Sequence, residues 1–257
     1  MGERSEYTPG TFSAVDLATA DVERGNAFYA ELFGWDHGDP YREWIACLLD
    51  GKIVAGIVSQ PDDQREAGIP PNWLSYVSVA DAESDAARAA ELGGKVLAPA
   101  FDVGEGGRIA VLADPQGAPF GLWQPVGYAG AQMVNVPGAL TWNQLTTTDP
   151  EAAIAFYTEL FGWTTEAPEG GDGAFWSFKN SEGWLNGGVM GLPPGGDARP
   201  SWTPYFASAD LKEHEARVKE LGGDAPSPIL PVPAGELFVA QDDQGAVFGL
   251  FAGEFDP

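Results

Sequence analysis

A single cysteine, Cys47, stands among 257 residues, which excludes an intramolecular disulfide and any cysteine-based metal cluster. It lies in the apolar run from Trp44 to Leu49, where a buried structural thiol is expected rather than a nucleophile. Histidine is almost as scarce, with only His37 and His214. Basic residues are few: 13 Lys and Arg stand against 38 Asp and Glu, a net charge of −25. Such a surface repels nucleic acid and anionic membranes. No apolar run approaches the ~20 residues that a membrane span requires. The opening MGERSEYTPG has no hydrophobic signal core. These absences together predict a cytoplasmic protein with neither a nucleic-acid nor a membrane partner.

What is present is glycine (34), proline (21) and an apolar content of 44 %, 12 % of the chain being aromatic. That is ample for packed cores and favours short strands and turns over long helices. The sequence also repeats itself. Asp21 opens D-V-E-R-G-N-A-F-Y-A-E-L-F-G-W, and 128 positions later Asp149 opens D-P-E-A-A-I-A-F-Y-T-E-L-F-G-W. The helical stretch from Asp81 to Leu-Gly-Gly recurs from Asp210, and the block from Asp114 to Leu122 recurs at Asp242 to Leu250. Three blocks at nearly fixed spacing divide the chain into domains of about 1–130 and 131–257, joined by the Gly- and Pro-rich stretch Gly127 to Gly138.

Each half follows one order. An extended segment (Phe12–Ala18 or Leu140–Thr146) leads to an Asp-capped helix. In the first half Phe28, Leu32 and Phe33 form its apolar stripe, and Gly34 ends it. Strand-like runs follow near 41–49 and 52–59. A second unit repeats the order, with a strand at 73–79, a helix at 82–92 and strands near 95–99, 108–113 and 119–124. The prediction is an α+β protein of four βαβββ units with curved mixed sheets, the helices covering the outside of each sheet. Asp114-Pro115-Gln116-Gly117 reads as a tight turn, without chemistry of its own.

The D-x₆-F-Y-x-x-L-F-G-W block, the later D-P-x-G turn and the L-G-G helix end resemble the vicinal oxygen chelate superfamily. Glyoxalase I, extradiol dioxygenases and antibiotic-resistance proteins belong to it. The resemblance covers nearly the whole chain, twice, and implies two cup-shaped glyoxalase-like domains. In that superfamily a divalent metal sits in the cup, held by four strand residues, usually His, Gln or Glu. Laid on this chain, the four positions fall at Ala14, Gly56, Leu74 and Gly121 in the first half. In the second they fall at Trp142, Gly188, Thr203 and Gly249. None offers the side-chain donors such an ion needs. A one-residue shift yields only Val15, Ser75, Asn143 and Pro204. His37, after the first helix, and His214, in a charged helical stretch, are expected in solvent. The expectation is therefore no metal and no other cofactor.

Strand alternation then predicts what faces each cup. Asp16 and Ala18 share the parity of position 14, while Tyr76 and Ser78 share that of Leu74, with Trp123 beyond Gly121. In the second half the set is Trp142, Gln144, Thr146, Tyr205 and Phe251. Such walls suit a flat organic ligand held by stacking and a few hydrogen bonds; the alternative is that the aromatic rings fill the cups. Glycine at the old ligand positions would leave room for a ligand to approach the backbone. Asp16 in aromatic surroundings would have a raised pKa and could act as a general base with Tyr76. A hydrogen bond to a nearby loop or backbone amide is the slightly favoured role for it. Arg108 could bind an anionic group, although an ordinary exposed strand start explains it better.

Two readings follow. In the first, the protein binds an aromatic or polyketide-like metabolite or antibiotic, in a sequestering or carrier role. In the second, it is a metal-independent cyclase, isomerase or lyase working through Asp16. A small-molecule partner is expected in either case, with the protein a monomer or a homodimer.

Overall fold

A computed structural model describes residues 2–167, 175–192 and 198–254. The first half runs β1 (Phe12–Thr19), α1 (Val22–Phe33), β2 (Asp36–His37), β3 (Trp44–Leu49), β4 (Lys52–Ser59) and a short α2 (Asp62–Glu66). It continues with β5 (Asn72–Ser78), α3 (Ala82–Glu91), β6 (Lys95–Val103), β7 (Gly107–Ala113) and β8 (Pro119–Pro125). The second half repeats the order with β9 (Leu140–Thr147), α4 (Pro150–Phe161), β10 (Thr164–Glu166), β11 (Phe175–Lys179) and β12 (Leu185–Gly191). It closes with β13 (Ser201–Ala207), α5 (Leu211–Glu220), β14 (Leu230–Val232), β15 (Gly235–Gln241) and β16 (Val247–Gly253). The expected α+β fold of βαβββ units is present. The sequence shows only two strands after the first helix; the other, β2, is only two residues long and at the sheet edge, where no alternation can be read.

The local signals act as expected. Asp21 and Asp149 accept backbone N–H bonds at the starts of α1 and α4, and Gly34 and Gly162 end those helices with φ of 72° and 70°. Each half forms one eight-stranded sheet, in the orders β2-β3-β4-β1-β5-β8-β7-β6 and β10-β11-β12-β9-β13-β16-β15-β14. Adjacent units therefore share a sheet, and the antiparallel pairs β1–β5 and β9–β13 join them.

The helices pair differently. The two sheets stand back to back, and each core joins units from opposite halves. One core packs Val15, Leu17, Tyr29 and Phe33 against Phe206, Val218 and Phe248. The other packs Val77, Ala86 and Phe120 against Phe156, Tyr157 and Trp163. Two matching hydrogen-bond chains run through these cores. Trp73 Nε1 donates to the Tyr29 hydroxyl (3.0 Å), which donates to Asp242 Oδ2 (3.2 Å). Trp202 Nε1 donates to the Tyr157 hydroxyl (2.8 Å), which donates to Asp114 Oδ2 (3.2 Å). Asp114 and Asp242 also accept N–H bonds from their own turns. The D-P-x-G turn thus does more than punctuate: its buried carboxylate ties one half to the other. At the centre Ser75 donates to Asn143 Oδ1 at 2.6 Å, so these two residues face the seam rather than a cup.

With the helices enclosed between the sheets, the concave faces point away from each other. The stretch joining the halves is anchored rather than loose. Ala131 N–H donates to Ser13 O, Gln132 N–H to Ile53 O and Val134 N–H to Gly2 O. Among the described residues no helix is long and apolar enough to cross a membrane.

Candidate functional site

Alternation along β1 separates the faces. Val15 and Leu17 are fully buried under the helices, whereas Ala14, Asp16 and Ala18 are half-buried on the concave side. Register then brings Asp16 beside Gly56 on β4 and Leu74 on β5. It brings Tyr76 beside Ala14 on β1 and Gly121 on β8. Asp16 and Tyr76 thus occupy the middle of the first cup, ringed by Ala14, Gly56, Leu74 and Gly121.

The two are joined. The Tyr76 hydroxyl hydrogen-bonds Asp16, and Trp44 Nε1 donates to Asp16 Oδ1 at 3.0 Å. Asp16 is therefore held by side chains of the cup, not by the loop or backbone amide that the sequence favoured. Its pKa is raised because burial outweighs these two hydrogen bonds. Tyr76 is pushed well above the usual phenol range by burial and by the Asp16 charge beside it.

The glycines explain how so much aromatic surface fits. A Cβ on Gly56 would overlap Trp44 Nε1 and Asp16 Oδ1, and a Cβ on Gly121 would overlap the Tyr76 ring. The space left by glycine is thus taken by neighbouring side chains, not kept for a ligand to reach the backbone. Trp123, on the same face, is buried; its Nε1 donates to Tyr128 O at 2.9 Å and its ring meets that of Tyr128 at 5.7 Å. Tyr128 comes from the joining stretch and also faces Trp44, at 6.3 Å between ring centroids. Its phenol is raised by burial and by the Asp16 charge.

The second cup keeps the geometry without the charge. Gln144 lies beside Gly188 and Thr203, and Tyr205 beside Trp142 and Gly249. Trp142 Nε1 donates to Gln144 Oε1 at 3.1 Å, and the Tyr205 ring fills the space over Gly249. Thr146 and Phe251 lie on the same concave face and are half-buried. Burial raises Tyr205 to about 12.

Arg108 belongs elsewhere. It pairs across β7–β8 with Gln124, while Ile109 pairs with Trp123, so Arg108 lies on the helix-bearing face. Its guanidinium meets Asp102 at 2.9 Å and Glu83 of α3 at 3.9 Å. The expectation that it contacts a ligand in the cup is therefore corrected by strand parity. His37 sits exposed on edge strand β2. His214 is half-buried rather than fully solvated, its Nδ1 2.8 Å from Ser208 Oγ and its ring against Phe33. Neither histidine enters a cup. Two open crevices follow the seam, one lined by Leu92, Pro115 and Phe156 and the other by Pro9, Gly10 and Phe161, remote from Asp16.

Comparison with known proteins gives the lineage. The sequence profile of the glyoxalase-like domain matches residues 14–123. Protein CFP32 of Mycobacterium tuberculosis is 36 % identical over 256 residues, covering 97 % of each chain. The chain belongs to the glyoxalase-like family of the vicinal oxygen chelate superfamily. This glyoxalase-like protein is also 30 % identical to the anthracycline biosynthesis protein DnrV of Streptomyces peucetius, over 96 % of its own length and 94 % of the relative's. The Mn(II)-bound glyoxalase from Novosphingobium aromaticivorans shares the fold, with a TM-score of 0.67 at 14 % identity over 100 % of this chain and 86 % of that one.

The metal that many members of this superfamily hold does not fit the residues here. The side chains at Ala14, Gly56, Leu74 and Gly121 carry no donor. The space at Gly56 and Gly121 is filled by Trp44, Asp16 and Tyr76. Among the described residues no three His, Cys, Asp or Glu converge on one point. One carboxylate with a neutral phenol and an indole is a hydrogen-bonding set, not a coordination shell.

Proposed function

We propose that this glyoxalase-like protein binds a flat, aromatic or polyketide-like small molecule in its first cup without a metal ion. The carrying observation is the substitution at the cup centre: an Asp16–Tyr76 pair, clasped by Trp44, stands among four positions that lack metal donors. Half-buried residues on the concave face of β1 leave Asp16 within reach of a ligand. Trp44 reaches Asp16 through its indole N–H, and the Tyr128 ring packs against Trp44, so aromatic surface lies beside the carboxylate. The likeness to a protein named for anthracycline biosynthesis supports a ligand from natural-product chemistry. A sequestering or carrier role needs nothing further from these residues.

One observation favours a second reading. A carboxylate with a raised pKa, hydrogen-bonded to a tyrosine, is equipped to take and return a proton. In a cyclase, isomerase or lyase of this kind Asp16 would remove a proton from the bound molecule, and Tyr76 would steady the carboxylate through its hydroxyl.

Titration with a planar hydroxylated aromatic such as 1,8-dihydroxyanthraquinone, followed by tryptophan quenching and by mass spectrometry of the ligand, tests both. Saturable quenching with an unchanged ligand mass and chromatographic mobility supports binding. Chemical change that is lost in Asp16→Asn while quenching persists supports the enzyme. No saturable quenching across a panel of such compounds would overturn both.

A further inference from the structure

The Asp16 carboxylate has hydrogen-bond donors but no countercharge. Trp44 and Tyr76 each supply one donor, and a carboxylate has about four acceptor directions. No Lys, Arg or His acts on it among the described residues. The ionisable groups that feel its charge are Tyr76, Tyr128 and Cys47, all of which would be neutral or anionic. Aromatic side chains lie beside the same point. Trp44 and Tyr128 meet at 57°, and Trp123 closes on Tyr128 at 68°, so the three rings pack on one another beside the carboxylate, which Trp44 touches through its N–H edge. Ring faces carry negative electrostatic potential and attract cations, most strongly when water is excluded. The whole chain, at net −25, adds attraction of the same sign.

We propose that the first cup recognises an organic ammonium ion, a protonated or quaternary amine on an aromatic or apolar body, with Asp16 as its countercharge and Trp44 and Tyr128 as its aromatic walls. This rests on the first cup being the binding site and names the chemical class it accepts. The second cup supplies an internal contrast. Gln144 holds the position of Asp16 in register, between Gly188 and Thr203, and is neutral. The second cup therefore selects uncharged ligands, and only the first selects cations. An anionic ligand is disfavoured in the first cup, where it would meet the carboxylate directly.

The test compares 3-hydroxyphenyltrimethylammonium with its uncharged isostere 3-tert-butylphenol by isothermal titration calorimetry of the full chain, in buffer with enough salt to screen the surface charge. The expected result is at least tenfold tighter binding of the cation. Asp16→Asn is expected to weaken the cation at least tenfold and to leave the phenol unchanged, with near-ultraviolet circular dichroism checking that the variant is folded. If the variant does not fold, the cation-to-phenol ratio of the unaltered protein decides alone. Equal affinities, or a ratio that survives Asp16→Asn, would overturn ammonium recognition while leaving the cup as a binding site. Silence from both probes would overturn it too, and silence from the planar aromatic panel as well would remove the binding site itself.

Discussion

Replacing Gly56 by alanine should damage the first cup out of proportion to one methyl group. The added Cβ would overlap both atoms of the hydrogen bond between Trp44 Nε1 and Asp16 Oδ1. These groups sit on the paired strands β3, β4 and β1, so the backbone cannot easily give way. Overpacking of this kind costs about 1–3 kcal/mol. Displacing a hydrogen bond to a charged group adds about 1.5–3 kcal/mol. The sum, roughly 2.5–6 kcal/mol, corresponds to a fall of roughly 5–24 °C in Tm for a chain of this size. Gly191→Ala is the matched control, because its Cβ would find nothing nearer than Pro150 Cγ at 3.9 Å. Differential scanning calorimetry of both variants, with fluorescence titration of an aromatic ligand, reads out stability and cup integrity together. If Gly56→Ala melts with the unaltered protein and still quenches normally, the packing of Asp16 and Trp44 into the space at Gly56 is refuted.

The seam between the halves should be equally sensitive. Tyr29→Phe removes the donor to Asp242 and the acceptor for buried Trp73 Nε1, and should cost roughly 3–5 kcal/mol. Tyr157→Phe should cost a similar amount through Asp114 and Trp202. Both variants should still melt in a single calorimetric transition, and two separated transitions would contradict shared cores. Asp16→Asn should gain stability, by roughly 1–2 kcal/mol at neutral pH, as a residue kept for function rather than for the fold. The direction follows from its raised pKa. Stability from such a group is complete below the ordinary aspartate value of 3.8 and is lost as pH rises through the higher folded value. The gain should therefore shrink on acidification, and solvent reaching the cup keeps it modest. Thermal melts of both proteins across pH 3.5–8 would show it, and an equal or lower Tm for the variant at neutral pH would contradict it.

Much of this was legible in the residues themselves. The Asp caps, the Phe28–Leu32–Phe33 stripe and the closing glycines are local signals, and the structure uses them locally. The parity of position 14 placed Asp16 on the concave face because β1 alternates regularly from Ser13 to Thr19, beyond the register shift at its start. Other features depend on partners that a single strand does not reveal. The apolar stripe of α1 reads the same whether it covers its own sheet or also meets the other, so the reach of Tyr29 to Asp242 was hidden. Trp44 was missed because its register counterpart, Phe175, lies 131 positions on rather than 128, outside the repeat blocks. Tyr128 comes from the joining stretch and has no counterpart in the repeat. Arg108 could have been placed correctly: Ala110 and Leu112, of its parity, are buried core residues.

Titrating the protein with a planar aromatic ligand in a chelating buffer, then again after adding Mn²⁺ or Zn²⁺, probes the cup most directly. The account predicts saturable quenching of equal affinity in both conditions, weakened when Trp44 is replaced by leucine. Binding that emerges only with the added ion would contradict it.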